Sequence, residues 1–170
     1  MAKIHRSEGR LAIPEELDRA LGFNLHRVSL LYRRELIRAL AGAGLTPEQW
    51  QVLAVLWLRG GGLTQNQIAS LTLRDKHAVS RMIARMERDG WIARDVDAHD
   101  SRCYRVEATS RARDQREEIV ARVTSHFAPI RNALSASERD TLLHLLGKLR
   151  AQLEPAEVTM SEPKRPESGS

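Results

Sequence analysis

A chain of 170 residues, 42% of them hydrophobic, is long enough for one domain, alone or with an extension used for assembly, and for a core that needs no disulfide or metal staple. Its single cysteine excludes an internal disulfide, and a reducing cytoplasm is the simplest setting for it. The net charge of +5, from 27 Lys and Arg against 22 Asp and Glu, permits a polyanionic partner, but only the placement of the bases can argue for one. The charged start Met1–Arg10 has no apolar run behind it and does not resemble a signal peptide. The longest apolar run, Val52–Leu58, is far too short to span a bilayer, so no membrane partner is expected.

Residues 1–13 read as a flexible arm. From Pro14 to about Leu40, the residues Leu17, Leu21, Leu25, Val28, Tyr32, Leu36 and Leu40 recur at three- to four-residue steps and predict one long helix. Leu30, Leu31 and Ile37 widen its apolar stripe. That breadth has two readings, packing against a second subunit or ordinary burial within the chain. Ala41–Gly44 ends the helix, and Thr46-Pro-Glu-Gln49 starts another with a capping threonine, a proline at the first helical position and a glutamine that closes the capping box. Trp50, Leu53, Leu56 and Trp57 are its expected anchors, and Arg59–Gly62 stops it.

Thr64-Gln-Asn-Gln67 repeats the capping signal and opens a short helix whose inner face is Ile68, Ala69 and Leu71. After a break at Thr72–Arg74, Asp75–Asp89 forms the next helix, apolar at Val79, Met82, Ile83 and Met86 and stopped by Gly90. Two strand-like runs follow, Trp91–Val96 and Cys103–Val106, around the charged tip Asp97–Asp100. A long helix is expected from about Thr109 to Asn132, with Ile119, Val120, Val123, Phe127 and Ile130 inward and a kink or early break at Pro129. Ser135-Ala-Ser-Glu138 caps a last helix carrying Leu142, Leu145, Leu146, Leu149 and Leu153, and Pro155 ends it. The tail to Ser170 reads as disordered.

A short helix, a turn, a second helix and a ribbon form the order of a winged helix-turn-helix. The fold class expected is mainly α with a short β wing. The outer side of the Asp75–Asp89 helix carries Lys76, His77, Ser80, Arg81, Ala84, Arg85 and Arg88. The plain reading is a solvated face balanced by Asp75, Glu87 and Asp89. Against it, the leading turn presents groups able to enter a major groove, and the acids gather at the far end. There the helix dipole disfavours them, so the sequence offers no stabilising account of Glu87 and Asp89. The ribbon supplies a second contact. Arg102 follows its tip, Asp100 can hold that guanidinium from the same strand face, and Arg94 and Arg105 read as phosphate contacts.

These pieces together resemble the MarR family of multiple-antibiotic-resistance regulators across residues 14–153. The sharpest matches are Leu45–Leu53, Leu63–Ala69, Asp75–Ile92, Arg94–Asp97 and Asp100-Ser-Arg102. The resemblance implies a homodimer joined through N- and C-terminal helices, each subunit offering one winged helix to half of an approximately palindromic DNA operator, more often as a repressor. Its implied division is an arm (1–13), an N-terminal dimerisation helix (14–44), the DNA-binding domain (45–108), C-terminal dimerisation helices (109–153) and a tail (154–170). Carried over, His77, Ser80, Arg81 and Arg85 are DNA-contacting positions, and the wing signature falls at Asp100 and Arg102. The chain departs from the pattern at Ala98, where proline is frequent, and at Ala108 and Ala112, where leucine and glycine are.

The resemblance also implies a small aromatic or lipophilic effector in the crevice between dimer helices and winged domain. His26, Arg27, Tyr32 and Arg33 are candidates to line it, with Trp50 as a wall; the alternative is a dimer seam and a core anchor. Cys103, beside Arg102, is either a plain strand residue or a redox-responsive one. The six histidines show no close ligand spacing, so no metal site is expected. With no phosphate-binding glycine loop and no nucleophile–base motif, neither a catalytic residue nor a cofactor is expected. A protein-interaction module that kept the fold without binding DNA is the competing class.

Overall fold

The computed structural model describes residues 12–60, 62–96 and 104–154. The chain divides into two compact units, Met1–Phe127 and Ala128–Ser170.

The first unit opens with a correction. The apolar repeat from Pro14 to Leu40 forms two helices, α1 (Glu15–Asp18) and α2 (Leu21–Leu40), because Ala20 adopts an extended backbone. The Asn24 side-chain amide explains how the break is tolerated. It donates at 2.7 Å to the carbonyl of Asp18, which a continuous helix would have paired, and at 3.0 Å to that of Ala20, which also accepts from the Asn24 backbone amide. The hydrophobic period carries on through the gap, so the pattern alone conceals it.

Two capping boxes then form as their spacing predicts. In α3 (Pro47–Arg59), Thr46 accepts from the Gln49 amide while the Gln49 side chain accepts from the Thr46 amide. The same reciprocal pair, Thr64 and Gln67, opens α4 (Gln65–Thr72). Inside α4, Ile68 and Ala69 are buried as expected, but Leu71 is 44% exposed. At 100° per residue it lies well off the direction midway between those two, so the face that buries them leaves it at the edge.

The helix α5 (Lys76–Arg88) is capped by Asp75 and stops in a six-to-one turn. The Gly90 amide donates to Glu87 O and the Trp91 amide to Met86 O, with Gly90 at φ +76°. Glycine enters this left-handed position without a Cβ clash. Trp91 and Met86 are both buried beneath the turn.

The ribbon is β2 (Ile92–Val96) paired antiparallel with β3 (Tyr104–Ala108), in register from Ile92↔Ala108 to Val96↔Tyr104. The sequence reading missed a third strand. Leu63 and Thr64 form β1, which pairs with Val106 and Arg105 and makes β3 the central strand of a β1-β3-β2 sheet. Gly62 permits this approach, since a Cβ there would stand 2.9 Å from Arg105 Cβ. A strand of two residues leaves no alternation to detect.

The predicted helix 109–132 is likewise two, α6 (Ser110–Asp114) and α7 (Arg116–Asn132). The single residue between them, Gln115, keeps right-handed backbone angles, so the apolar period crosses it without a phase shift. One core joins the helices and sheet of this unit, with Leu40, Val52, Leu53, Ile68, Val79, Ile83, Met86, Ile92 and Val106 almost entirely buried.

In the second unit, α7 continues three residues past Pro129 to Asn132. The third capping box, Ser135 with Glu138, opens α8 (Ala136–Leu153) as expected. Arg139 closes the connection by donating to the Arg131 and Leu134 carbonyls. Among the described residues, no helix is long and apolar enough to cross a membrane.

Candidate nucleic-acid interface

Two faces of α5 part by chemistry. Val79, Ile83 and Met86 are buried and Met82 partly so, whereas Lys76, His77, Ser80, Arg81, Ala84, Arg85 and Arg88 are exposed. Asp75 fixes the leading end. One carboxylate oxygen accepts from the His77 amide at 2.9 Å and the Ala78 amide at 3.1 Å. Those amides, chiefly that of Ala78, hold the Asp75 carboxyl below the usual range, with the charges of His77 and Arg81 adding to the effect. Lys76, His77, Ser80 and Arg81 are thus carried on a helix start held by its own cap. Among the described residues, no ion pair occupies Lys76, Arg81 or Arg85.

Of the two acids at the far end, Glu87 now has an explanation. Glu87 Oε2 accepts from Arg94 Nε at 2.9 Å and also from Arg94 Nη2, tying α5 to β2. This hydrogen-bonded guanidinium holds the Glu87 carboxyl below its ordinary value, and Glu87 raises the Arg94 guanidinium in turn. The Asp89 carbonyl accepts from Arg111 Nη1 at 2.8 Å, and that guanidinium lies over the Trp91 ring at 4.8 Å. Arg105 Nη1 donates to the Gly62 carbonyl at 2.9 Å. Arg94 and Arg105, expected to meet phosphates, therefore also hold the wing to its neighbours.

Asp100, Arg102 and Cys103 lie outside the described residues, as does the tip Asp97–Asp100.

The Arg94–Glu87 link has a pH signature. A depressed carboxyl contributes stability above its unfolded-state pKa and loses it as pH falls through the folded value. Both side chains are about one-third exposed, which limits the pair to ~0.2–1 kcal/mol. Glu87→Gln is therefore expected to show a slightly lower plateau at neutral pH and a shallower loss of stability below the ordinary glutamate range. Denaturant titrations across that range measure both; parallel curves for the two proteins would rule the contribution out.

The five effector candidates line neither of two clefts in the structure. His26 is exposed. Arg27 lies 6.0 Å from the Phe23 ring centre, Tyr32 stacks on Phe127 at 4.4 Å, and Trp50 meets Trp57 edge to face at 5.8 Å. Arg33 Nη2 is 2.9 Å from Glu48, which also receives Arg74 at 3.2 Å. Burial raises the Glu48 carboxyl, but the Arg33 hydrogen bond, its own amide and both guanidinium charges leave it lowered overall. A cleft of about 800 Å³ is walled instead by Leu56, Trp57, Glu107, Arg113, Arg116 and Val120. A smaller one, about 290 Å³, lies between α3 and α5 and includes Arg74, Arg81 and Arg85. Among the described residues, no group of three or more His, Cys, Asp or Glu could hold a metal ion.

This arrangement can be set beside known proteins. Residues 43–102 match the profile of the MarR family, which spans the helix pair and much of the wing. The uncharacterized HTH-type regulator YkoM of Bacillus subtilis is 30% identical over 138 residues, covering 79% of this chain and 88% of that protein. The chain belongs to the MarR family. Another similar protein, the transcriptional activatory protein BadR of Rhodopseudomonas palustris, is 27% identical, with 79% and 78% coverage. Among solved structures, a mutant MarR from E. coli complexed with operator DNA has a TM-score of 0.70 and 26% identity, over 76% of this chain and 92% of that one. A probable transcriptional regulator from Pseudomonas aeruginosa has a TM-score of 0.66 and 31% identity, over 78% and 98%. As a MarR-family protein the chain is a DNA-binding transcriptional regulator, not an enzyme.

Proposed function

We propose that this MarR-family regulator is a homodimeric repressor that places one winged helix on each half of an approximately palindromic operator. The observation that carries the DNA face is the outer side of α5, where exposed Lys76, His77, Ser80, Arg81 and Arg85 stand on a helix anchored through its opposite side. Residues 45–108 form the DNA-binding domain, with Asp100 and Arg102 completing the contact from the wing. Arg94 and Arg105 flank it as phosphate contacts that share their guanidiniums with the fold. Displacement of counterions supplies most of the affinity, and the leading turn of α5 reads bases.

Residues 14–44 and 109–153 serve dimerisation. Support comes from the apolar stripe of α2, where Leu21, Leu25, Val28 and Tyr32 remain exposed in the single chain, Val28 by 61%. In α8, Leu142, Leu143, Leu145 and Leu146 are exposed as well. Val28→Glu would desolvate a carboxylate on burial and is expected to turn a dimer into a monomer in sedimentation equilibrium at micromolar concentration. A dimer of wild-type stability would remove α2 from the interface. Binding of a small aromatic or lipophilic effector would release the DNA.

The purified protein should be challenged with a genomic fragment library at moderate salt and the retained DNA sequenced. Recovery of an inverted repeat is the expected result. Retention of unselected DNA would refute sequence specificity, and retention of none would refute the DNA-binding role itself.

A further inference from the structure

Leu73 breaks a local rule. The turn from α4 to α5 repeats the geometry that ends α5, with the Arg74 amide on Ala69 O at 3.0 Å and the Leu73 amide on Ser70 O at 3.2 Å. The left-handed slot that Gly90 fills in one turn holds Leu73 in the other, at φ +52°. Among the described residues it is the one non-glycine with positive φ. A side chain there crowds the backbone, and leucine has no polar atom to compensate locally.

The fold gains nothing visible in return. Leu73 is 79% exposed, whereas Trp91, which follows the equivalent turn, is buried. The residue after Leu73 is no apolar cover either, since Arg74 reaches Glu48. Strain without a packing benefit is the pattern expected where a side chain is displayed for function.

Position says for what. Leu73 precedes the cap Asp75 by two residues, and three residues of chain place it within roughly 11 Å of Lys76. It therefore stands at the leading end of the face proposed to enter the major groove. The apolar feature that base edges display there is the C5-methyl of thymine. We propose that Leu73 packs against a thymine methyl and acts as a specificity-determining residue. This rests on the DNA-binding reading above.

The test is a double-mutant cycle on the inverted repeat recovered by selection. Wild-type protein and Leu73→Gly are each titrated with that duplex, and with copies in which single thymines are replaced by deoxyuridine. For wild type, loss of the contacted methyl is expected to weaken binding about fourfold. For Leu73→Gly, the thymine and uracil duplexes should bind alike, both more weakly than wild type binds thymine. Thermal unfolding of the variant should be unchanged or raised, because glycine relieves the turn. Equal affinity of the two proteins for the thymine duplex would overturn the assignment and leave Leu73 to a partner other than DNA. Equal losses for both proteins at every uracil, or a lower unfolding midpoint, would overturn it too. Failure to select any duplex would bring down the DNA-binding reading and this inference with it.

Discussion

Truncating Ile83 to alanine is expected to lower the unfolding free energy by about 2–5 kcal/mol. Ile83 is fully buried in the cluster that includes Leu53, Val79 and Val106. The methyl groups removed leave a cavity that neighbours on α3 and β3 cannot fill without shifting. A total stability of about 5–15 kcal/mol makes that loss a large share. Guanidinium unfolding followed by circular dichroism would show the midpoint falling with the slope unchanged. Two residues earlier, Arg81→Ala faces outward and should change stability by no more than about 0.5 kcal/mol. A loss below 1 kcal/mol for Ile83→Ala would mean that α5 is not anchored through this residue.

The second large effect is on DNA. Arg102→Ala is expected to weaken binding to the selected operator by about 5–150-fold, corresponding to ~1–3 kcal/mol, while the dimer stays intact. The physical reason is the guanidinium itself, long, planar, always charged and suited to a narrow groove of negative potential. Arg102 lies outside the described residues, so the expectation joins its sequence position to the base from which the wing projects. That base is well fixed, by five register pairs between β2 and β3 and by the Arg94–Glu87 link to α5. Fluorescence anisotropy at several salt concentrations measures the loss, and sedimentation checks the dimer. Unchanged affinity would remove the wing from the contact surface.

Capping chemistry was the most legible part of the chain. Thr46, Thr64 and Ser135, each three residues before Gln or Glu, marked three helix starts that the structure reproduces with both reciprocal hydrogen bonds. The mechanism is local, so four consecutive residues carry it. The outer face of α5 was legible for a related reason, because a 13-residue amphipathic helix states which side is buried. What stayed hidden depends on distant partners. Glu87 looked misplaced until Arg94, seven residues on, folded back to it. β1 exists only because β3 lies beside it. Breaks at Ala20 and Gln115 preserved the hydrophobic period and so left no trace in it. His26, Arg27, Tyr32 and Arg33 stand out by polarity along α2, and polarity along one helix says nothing about which cavity they share with each other or with Trp50 on α3.

The order β1-β3-β2 also bears on solution behaviour. An open sheet has two rims of unpaired backbone donors and acceptors, and such rims invite another chain to add a strand. Here one rim is only two residues long, and the other carries Arg94 and Asp95, exposed and charged. Stray strand addition therefore meets too few hydrogen bonds on one side and a desolvation cost on the other. A regulator with this sheet can crowd along a chromosome without its wings zipping together.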